Sequence, residues 1–292
     1  MIVGLGDALR KLLEQTVLEL PSDVLNAIRR ACEEYSHSER VASICKAIEE
    51  NLSIAKNQRA PLCQDTGLIE VFIRFGRWLD PIPDIIDELT KIVASMTKEG
   101  LFRPNAVDPL RNVNTGNNLG PYTPFIHMEY DPNLTSDIYV CVYLAGGGCS
   151  ALGRAEVSPP SLGIEALSQL VVGTISRLGV NACPPLFIGI GIGGTAEMAS
   201  ILSKKALLRR VGVHNLDPLA AEIEKRILDA INRLPIGFQG LGEGPTALWV
   251  SLEYGSRHPA TFAIAISVSC WALRRRCLRI SKSGSIEILD HI

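Results

Sequence analysis

The sequence predicts an α/β fold of mixed α+β type, in which a helical N-terminal region packs on a mixed sheet flanked by helices. Three observations support this prediction. Helical apolar spacing dominates the first fifth of the 292-residue chain, apolar strand-like runs alternate with helical segments after it, and hydrophobic residues make up 47% of the sequence. We expect one domain spanning residues 1–292, with residues 1–60 as its helical part.

The N-terminal region has the spacing of amphipathic helices. Leu9, Leu13 and Val17 recur at helical intervals, and a start signal at Ser22 follows a proline. The same spacing continues to Asn57. The sequence therefore predicts helices over most of residues 5–55.

Strands and helices alternate along the rest of the chain. Apolar runs predict strands at residues 68–75, 125–130, 138–144, 186–192, 246–253 and 261–269. Helical spacing predicts helices at about residues 83–98, 161–178, 196–210 and 217–233. Between them, residues 103–124 are rich in Asn, Pro and Gly, and a long aperiodic segment inside a compact protein is typical of a functional loop.

Charge and hydropathy exclude two classes of partner. The formal net charge is −2, and basic and acidic residues are mixed along the chain, so there is no basic stripe for a phosphate backbone. No apolar run reaches the length of about 18 residues that a membrane helix needs, and the N-terminus lacks a secretory signal. We expect a cytoplasmic protein that binds neither nucleic acid nor membrane. A solvated helix face is one interpretation of the basic cluster near the C-terminus, and a functional role is left open: Arg274, Arg275, Arg276 and Arg279.

Eight cysteines are spread along the chain without CxxC pairs, unlike the framework of a small secreted domain. In a reducing compartment they are core residues or metal ligands. Cys32 and Cys45, on apolar helix faces, and Cys141, inside a strand, are expected to be small hydrophobic residues. Cys149, beside a glycine run, and Cys277, on the last predicted helix, leave structural and functional roles open.

Cys63, Cys183 and Cys270 differ from the other five because each lies beside a strand end, in a loop with Pro, Gly or polar neighbours. Thiolates are the ligands of iron-sulfur clusters, and three of them leave one iron of a 4Fe-4S cluster without a protein ligand. An open iron is a Lewis acid that polarises a substrate oxygen. Ligands this far apart form no local signature, so spacing alone leaves buried inert thiols as the alternative.

Five segments in sequence order carry a more specific signal: residues 63–67 (CQDTG), 103–118 (RPNAVDP to NTGNN), 183–195 (CPP to GGT), 240–246 (GLG with a threonine) and 258–271 (HPA to SCW). Together they resemble the signature segments of the class I (iron-sulfur) fumarate hydratase and L-tartrate dehydratase family, alpha subunit. The resemblance runs from about residue 5 to residue 290. Several motifs in one order are more specific than any one of them.

The resemblance implies a cofactor, a reaction and a set of site residues. The reaction is the reversible addition of water across a carbon-carbon double bond of a small dicarboxylate. The cysteines of the family that hold a 4Fe-4S cluster match Cys63, Cys183 and Cys270. The residues around the substrate match Gln64, Asp65, Arg103, Gly146 and His258, of which Asp65 and His258 are the expected catalytic residues.

The residue types suit this task independently of the resemblance. Arg103 can bind a carboxylate through two hydrogen bonds, and His258 can donate one. Asp65, two residues from a predicted metal ligand, is placed to remove a proton or to orient the base. Each also has an ordinary interpretation: Asp65 as a loop cap, Arg103 as a surface ion pair and His258 as a packed ring.

Three features depart from the family or compete with it. The family usually has Ser-Glu-Asn after the glycine run at residues 146–148 and lysine before it, whereas this chain has Cys149-Ser150-Ala151 and Ala145. Glu243 replaces a common glycine. Residues 189–194 contain GxGxxG, which allows a dinucleotide site with Asp217 as its acid. The glycine segment of the family explains the glycines at residues 189–194 better, because glycine lets the backbone approach closely near the cluster.

The resemblance also implies a partner, because the family needs a further domain or a separate beta subunit to complete its site. We expect an alpha subunit that pairs with a beta subunit, with homodimerisation or a dimer of such heterodimers. Reversible hydration of fumarate to L-malate is the first expected activity, and L-tartrate dehydration is the alternative. A non-catalytic paralogue and a zinc protein are the competing interpretations, and zinc is disfavoured because no fourth ligand has the usual spacing.

Overall fold

The structure, a computed structural model, describes residues 2–291 and confirms a mixed α/β fold. The helices are α1 (Leu5–Leu18), α2 (Ser22–Glu34), α3 (Glu39–Gln58), α4 (Ile82–Lys98), α5 (Gly147–Ser150), α6 (Gly163–Leu178), α7 (Ala196–Ala206) and α8 (Pro218–Asn232). Short 3-10 helices lie at Gly179–Ala182 and Phe238–Gly240. Among the helices of residues 2–291, none combines the length and the apolar character needed to cross a membrane.

The strands are β1 (Leu68–Phe75), β2 (Val107–Asp108), β3 (Val113–Asn114), β4 (Phe125–Tyr130), β5 (Asp137–Ala145), β6 (Arg154–Ser158), β7 (Leu186–Gly193), β8 (Ala247–Tyr254), β9 (Phe262–Ser269), β10 (Arg275–Ser281) and β11 (Ile286–Leu289). The six strands expected from apolar runs are all present. The short strands β2, β3 and β6 and the last two, β10 and β11, were not predicted.

The described residues form two compact units. Unit 1 comprises the residues up to Pro21, Glu50–Gly146 and the residues from Arg274 onwards, and unit 2 comprises Ser22–Glu49 and Gly147–Leu273. The N-terminal helices are divided between them, since α1 belongs to unit 1, α2 to unit 2, and α3 contributes residues to both.

Unit 1 is a five-stranded sheet in the order β11-β10-β5-β1-β4, with helices α1 and α4 packed together beside it. Strand β1 runs parallel to β4 and antiparallel to β5. The predicted apolar face of α1 is buried against this core, with Leu9, Leu13 and Val17 each 0% exposed. Burying a side chain of this size stabilises a fold by about 1.5–3 kcal/mol, so this face holds α1 in unit 1.

Unit 2 contains a four-stranded sheet in the order β6-β9-β7-β8, in which β7 is parallel to β8 and antiparallel to β9. Strand β7 is buried along its whole length, as a strand covered on both faces must be. Its isoleucines Ile188 and Ile190 join a core cluster with residues of α6 and α8. Its alternate residues Gly189 and Gly191 meet helix α7, because successive side chains of a strand point to opposite faces.

The glycines of β7 are explained by helix packing. A Cβ atom on Gly191 would lie 1.9 Å from the carbonyl oxygen of Ala199, and one on Gly189 would lie 2.0 Å from that of Ser203. Close backbone approach is therefore the reason for these glycines, as expected, but the backbone they approach is that of α7. Asp217 is the N-cap of α8, where its Oδ1 atom accepts a hydrogen bond from the Leu219 N–H at 2.8 Å. A role as the acidic residue that binds a ribose is therefore not needed to explain Asp217.

We expect Gly191→Ala to lower the free energy of unfolding by about 3 kcal/mol or more, because the added methyl group meets main-chain atoms of α7 that cannot move aside locally. Gly173→Ala is the matched control. A Cβ atom at Gly173, inside α6, has no neighbour within 4 Å, so this change should leave stability equal or higher by up to about 1 kcal/mol. Urea denaturation of both variants measures the difference, and equal stability of the two would contradict the packing argument.

The expectation of a solvated helix after Cys270 is wrong. The segment forms strand β10, which pairs with β5 and β11, and Arg274, Arg275 and Arg276 are 2%, 0% and 8% exposed. Arg275 donates a hydrogen bond to the carbonyl oxygen of Asp290 at 2.6 Å, and Arg276 pairs with the Asp290 carboxylate. Buried charges need such partners, and a run of arginines carries no local signal that the fold supplies them.

Four cysteines that the sequence suggested were core residues or left open form disulfides. Cys32–Cys45 joins α2 to α3 in unit 2, with Cα atoms 5.9 Å apart, and Cys141–Cys277 joins β5 to β10 in unit 1. Cys141 and Cys277 are direct partners in the register of the two strands. Periodicity had correctly indicated burial of Cys141. Its disulfide partner was not predictable in the same way, because it lies on a paired strand that is far away in sequence.

Candidate active site

The predicted CQDTG segment is a tight loop at the start of β1 in unit 1. Gly67 has φ +80°, and a Cβ atom there would lie 2.8 Å from the main chain of Ala145, so only glycine fits. The Oδ1 atom of Asp65 accepts a hydrogen bond from the Gly67 N–H at 2.9 Å, so Asp65 does act as a loop cap. Cys63 is half-buried and Gln64 is exposed. The loop thus presents a thiol, an amide and a carboxyl group side by side.

Asn105 ties this loop to the segment that carries Arg103. Its Nδ2 atom lies within hydrogen-bond distance of Asp65 Oδ1 (3.4 Å), Thr66 Oγ1 (3.3 Å) and the Gly67 carbonyl oxygen (3.1 Å). The Thr66 hydroxyl oxygen also accepts from the Arg103 N–H at 3.0 Å. The positions of Asp65 and Arg103 are therefore coupled through two short polar side chains.

Asn118 holds the other end of the Asn-rich segment. It is 2% exposed, and its Oδ1 atom accepts from the N–H groups of Asn105 (2.7 Å) and Ala106 (3.2 Å). Its Nδ2 atom donates to Thr97 Oγ1 (3.0 Å) and to the Arg103 carbonyl oxygen (2.7 Å). All four hydrogen-bonding positions of the amide are used. The motif at residues 103–118 is thus a scaffold that leaves the Arg103 side chain exposed.

Arg274 completes the unit 1 part of the candidate site, and sequence reasoning had placed it on the surface. Its Nη2 atom donates to the Asp65 carbonyl oxygen at 2.9 Å, while Nε and Nη1 have no hydrogen-bond partner among residues 2–291. A Cβ atom on Gly146 would lie 3.3 Å from Asp65 Oδ2 and 3.9 Å from Arg274 Nη2. A buried guanidinium favours binding of an anion nearby, because an uncompensated buried charge is costly.

Two of the predicted cluster cysteines lie on adjoining loops of unit 2. Cys183 follows the 3-10 helix Gly179–Ala182, has φ +52° and is exposed, and Cys270 follows β9 and is half-buried. The Trp271 N–H donates to the Cys183 carbonyl oxygen at 3.4 Å, which joins the two loops. None of the predicted ligands Cys63, Cys183 and Cys270 is in a disulfide.

Cys149 lies beside the same two cysteines. Its buried thiol is hydrogen-bonded to Cys270, and this bond, together with burial and the nearby Cys183, raises the pKa of Cys149. The sequence had left its role open, because a single cysteine beside a glycine run carries no signal of its neighbours in space.

His258, also in unit 2, is exposed and held in one orientation. Its Nδ1 atom accepts a hydrogen bond from the Ala260 N–H at 3.1 Å, which assigns the ring proton to Nε2 and makes Nε2 a donor. The neighbouring Arg257 donates from Nη1 to the carbonyl oxygens of His258 (3.0 Å) and Thr261 (3.2 Å), and its guanidinium lies 5.7 Å from the centre of the Phe262 ring. Arg257, which sequence reasoning missed, therefore stiffens the loop that carries the histidine.

The structure thus assembles two partial sites. Unit 1 groups Cys63, Gln64, Asp65, Arg103 and Gly146, and unit 2 brings Cys183 and Cys270 together and carries His258. Among residues 2–291 there is no group of three or more His, Cys, Asp or Glu side chains placed to hold one metal ion. Each cysteine ligand of a 4Fe-4S cluster binds a different iron, so cluster ligands do not need that arrangement. Cys183 and Cys270, which are in no disulfide and whose loops are joined by the Trp271 N–H, have the thiol groups that cluster ligands need.

Glu243, which stands where the family usually has glycine, has a structural role. Its carboxylate accepts a hydrogen bond from the Ser38 hydroxyl and pairs with Arg40 at 3.2 Å, all within unit 2. These contacts fix the start of α3. The glutamate that departs from the family pattern therefore has hydrogen-bonding partners nearby.

Comparison with known proteins agrees with the motifs. Residues 6–279 match the family described as Fumarate hydratase (Fumerase). A protein of Methanocaldococcus jannaschii with the provisional name L(+)-tartrate dehydratase subunit alpha is 40% identical over 284 residues, which cover 97% of this chain and 99% of that protein. The L(+)-tartrate dehydratase subunit alpha of Escherichia coli strain K12 is 36% identical over 272 residues, which cover 93% of this chain and 89% of that protein. The chain therefore belongs to the fumarate hydratase (Fumerase) family and is a hydro-lyase.

Proposed function

We propose that this chain is the alpha subunit of an iron-sulfur hydro-lyase that hydrates fumarate reversibly to L-malate. The observation that carries the proposal is the hydrogen-bonded group around Asp65, in which Asn105 bonds to the carboxyl group, Thr66 binds the Arg103 N–H and the buried Arg274 donates to the Asp65 carbonyl oxygen. The exposed Arg103 guanidinium suits a substrate carboxylate, the buried Arg274 adds positive charge beside the Asp65 loop, and the Asp65 carboxyl group suits proton transfer next to that carboxylate.

Cys63, Cys183 and Cys270 would hold a 4Fe-4S cluster, and its open iron would supply a Lewis acid for the substrate hydroxyl group. Loop backbone positions both unit 2 cysteines, since Cys183 has a left-handed conformation and its carbonyl oxygen is bound by the Trp271 N–H. We further propose that residues 1–292 form one catalytic domain.

The protein side chains would bind the dicarboxylate and move one proton. Arg103 would bind a carboxylate of the substrate through two hydrogen bonds, and the Nε2–H of His258 would donate a hydrogen bond to the substrate. Gln64 and the main chain at Gly146 would add further donors. Asp65 would accept the proton from the carbon next to a carboxylate, and its bonds to Gly67 and Asn105 keep the carboxyl group in place for that step.

L-tartrate dehydration is the second candidate, favoured by the names of the relatives at 36–40% identity. Those names contain "subunit alpha", which supports a beta subunit as the partner that completes the substrate site, with a dimer of heterodimers as the proposed assembly. An open cluster iron requires a reducing environment, and this supports a cytoplasmic location. Two disulfides in a cytoplasmic protein would match the pattern known from intracellular proteins of hyperthermophiles.

The test is activity of the anaerobically reconstituted alpha and beta pair on both substrates. We expect loss of fumarate absorbance with kcat/KM higher than for formation of oxaloacetate from L-tartrate. A higher kcat/KM for L-tartrate would show that L-tartrate dehydration, the second candidate, is the activity. A pair that contains iron and sulfide and yet turns over neither substrate would contradict the proposal and favour a non-catalytic paralogue.

A further inference from the structure

Unit 2 contains a cavity of about 250 Å³ that the proposed reaction does not use. It lies at the carboxyl ends of the parallel strands β7 and β8, beside the start of α8, and in α/β proteins such strand ends are where ligands bind. Its walls are apolar side chains: Ile164, Ile192, Leu219, Ile223, Leu252 and Phe262. A cavity of roughly 150 Å³ with walls of this kind binds benzene, so this one has room for a six-carbon body and a small polar group.

Arg257 supplies a positive charge at this cavity. Its Nη1 atom donates to the carbonyl oxygens of His258 (3.0 Å), Pro259 (3.2 Å) and Thr261 (3.2 Å). Its Nε and Nη2 atoms have no hydrogen-bond partner among residues 2–291, and no carboxylate there pairs with the guanidinium. These two N–H groups share one edge of the guanidinium plane, and such an edge binds a carboxylate through two parallel hydrogen bonds. The guanidinium also lies 5.7 Å from the ring centre of Phe262, a wall of the cavity.

A carboxylate also lines the cavity, but it already has partners. Asp217 Oδ2 accepts a hydrogen bond from the Tyr254 hydroxyl at 2.6 Å, and Oδ1 accepts from the N–H groups of Leu219 (2.8 Å) and Ala220 (3.4 Å). The positive end of the α8 helix dipole stabilises its charge further. The charge of Arg257 has no such carboxylate partner in the described part of the chain, so the cavity favours a ligand with one negative charge.

We propose that this cavity binds a small monocarboxylate with an apolar body of about six carbons, whose carboxylate pairs with the Nε and Nη2 atoms of Arg257. The apolar body packs on the isoleucine, leucine and phenylalanine walls and is removed from water. Fumarate and L-tartrate have no apolar body, so the ligand is neither of the candidate substrates. The inference therefore does not depend on the proposed function.

Binding in the cavity also acts on the loop that carries His258. The guanidinium that binds the carboxylate holds the carbonyl oxygens of His258 and Thr261, so fixing Arg257 restrains this loop. The Thr261 N–H donates to the His258 carbonyl oxygen at 3.1 Å, and the Ala260 N–H donates to His258 Nδ1 at 3.1 Å. Both amides should exchange their hydrogens more slowly with solvent when the cavity is occupied.

Isothermal titration calorimetry of the full chain with phenylacetate tests the proposal. Phenylacetamide has the same shape without the charge, and acetate has the charge without the apolar body. We expect one phenylacetate to bind per chain, and both other compounds to bind roughly tenfold more weakly or less, because hydrogen bonds between charged groups contribute at least that factor. Hydrogen exchange of residues 256–261 should slow with phenylacetate and stay unchanged with acetate.

Two variants test whether the ligand binds at this cavity. Arg257→Gln removes the cation and should weaken phenylacetate binding roughly tenfold while leaving phenylacetamide binding unchanged. Leu219→Glu places a carboxylate at the cavity on a side chain that is 69% exposed, so the variant should fold and should repel phenylacetate. Leu216→Glu is the matched control, because this side chain is 96% exposed and does not line the cavity.

Failure of phenylacetate to bind would overturn the proposal, and so would equal binding of phenylacetate and phenylacetamide. Binding that Leu219→Glu leaves unchanged would also overturn it, because the ligand would then lie elsewhere. The same titration of the alpha and beta pair separates a ligand site from a subunit contact. Loss of phenylacetate binding in the pair would show that the beta subunit covers the cavity, which would overturn this inference and leave the proposed function standing.

Discussion

Replacing Cys183 by serine is expected to remove most of the iron and sulfide from the reconstituted chain and to abolish hydro-lyase activity. The wild-type chain should contain about four irons, because three cysteines hold a cubane cluster with one open iron. Serine keeps the size of the side chain but lacks the thiolate that the cluster requires. Cys63→Ser and Cys270→Ser should behave alike, although they lie in different units, because loss of any one ligand leaves a second iron unsupported.

Iron and sulfide quantitation after anaerobic reconstitution measures this effect without an activity assay. The matched control is the double variant Cys32→Ser and Cys45→Ser, which removes a disulfide from unit 2 and should retain the full iron content. It is expected to lower stability by about 2–4 kcal/mol, so it also shows that destabilisation alone does not empty the site. Full iron content in all three variants would contradict the assignment of these cysteines as cluster ligands and, with it, the proposed mechanism at this site.

Asp65→Asn is expected to lower kcat by about 10²- to 10⁴-fold while iron content stays at the wild-type level, because general acid-base groups contribute rate factors of that size. The amide oxygen of asparagine can still accept from the Gly67 N–H, and the Arg274 bond goes to the main-chain oxygen, so the loop should keep its conformation. Steady-state kinetics of the alpha and beta pair at saturating substrate isolate the chemical step from binding.

Asp108→Asn makes the same chemical change in unit 1, in the scaffold segment 103–118, at a carboxylate that bonds to Leu110 and Arg111. Asp108 Oδ1 caps a turn through the N–H groups of Leu110 (2.9 Å) and Arg111 (3.0 Å), and asparagine can do the same. Its kcat should therefore remain at the wild-type value. An unchanged kcat in Asp65→Asn would show that another group accepts the proton. Asp65 would then have only the structural role of capping the loop through its hydrogen bond from the Gly67 N–H.

The candidate site was predictable to the extent that it lies in short segments with their own chemistry. Cys63, Asp65, Arg103 and His258 belong to motifs that were recognisable before any contact was known, and the structure places each of them in an ordered loop. Arg274 was missed, because its role depends on a carbonyl oxygen some two hundred residues earlier. Cys149 was left open for the same reason, since only folding brings it to Cys270.

By itself, the sequence determined most of the helices, the six strands with apolar runs and the membership of the family, because apolar periodicity and local motifs report burial and chemistry within a few turns of chain. Only the tertiary structure decided that residues 275–281 are a strand, that Cys141 pairs with Cys277, and that β7 needs glycine against α7. Each of these depends on a partner distant in sequence. Local patterns show that a residue will be buried, but the neighbour that buries it is chosen when the whole chain packs.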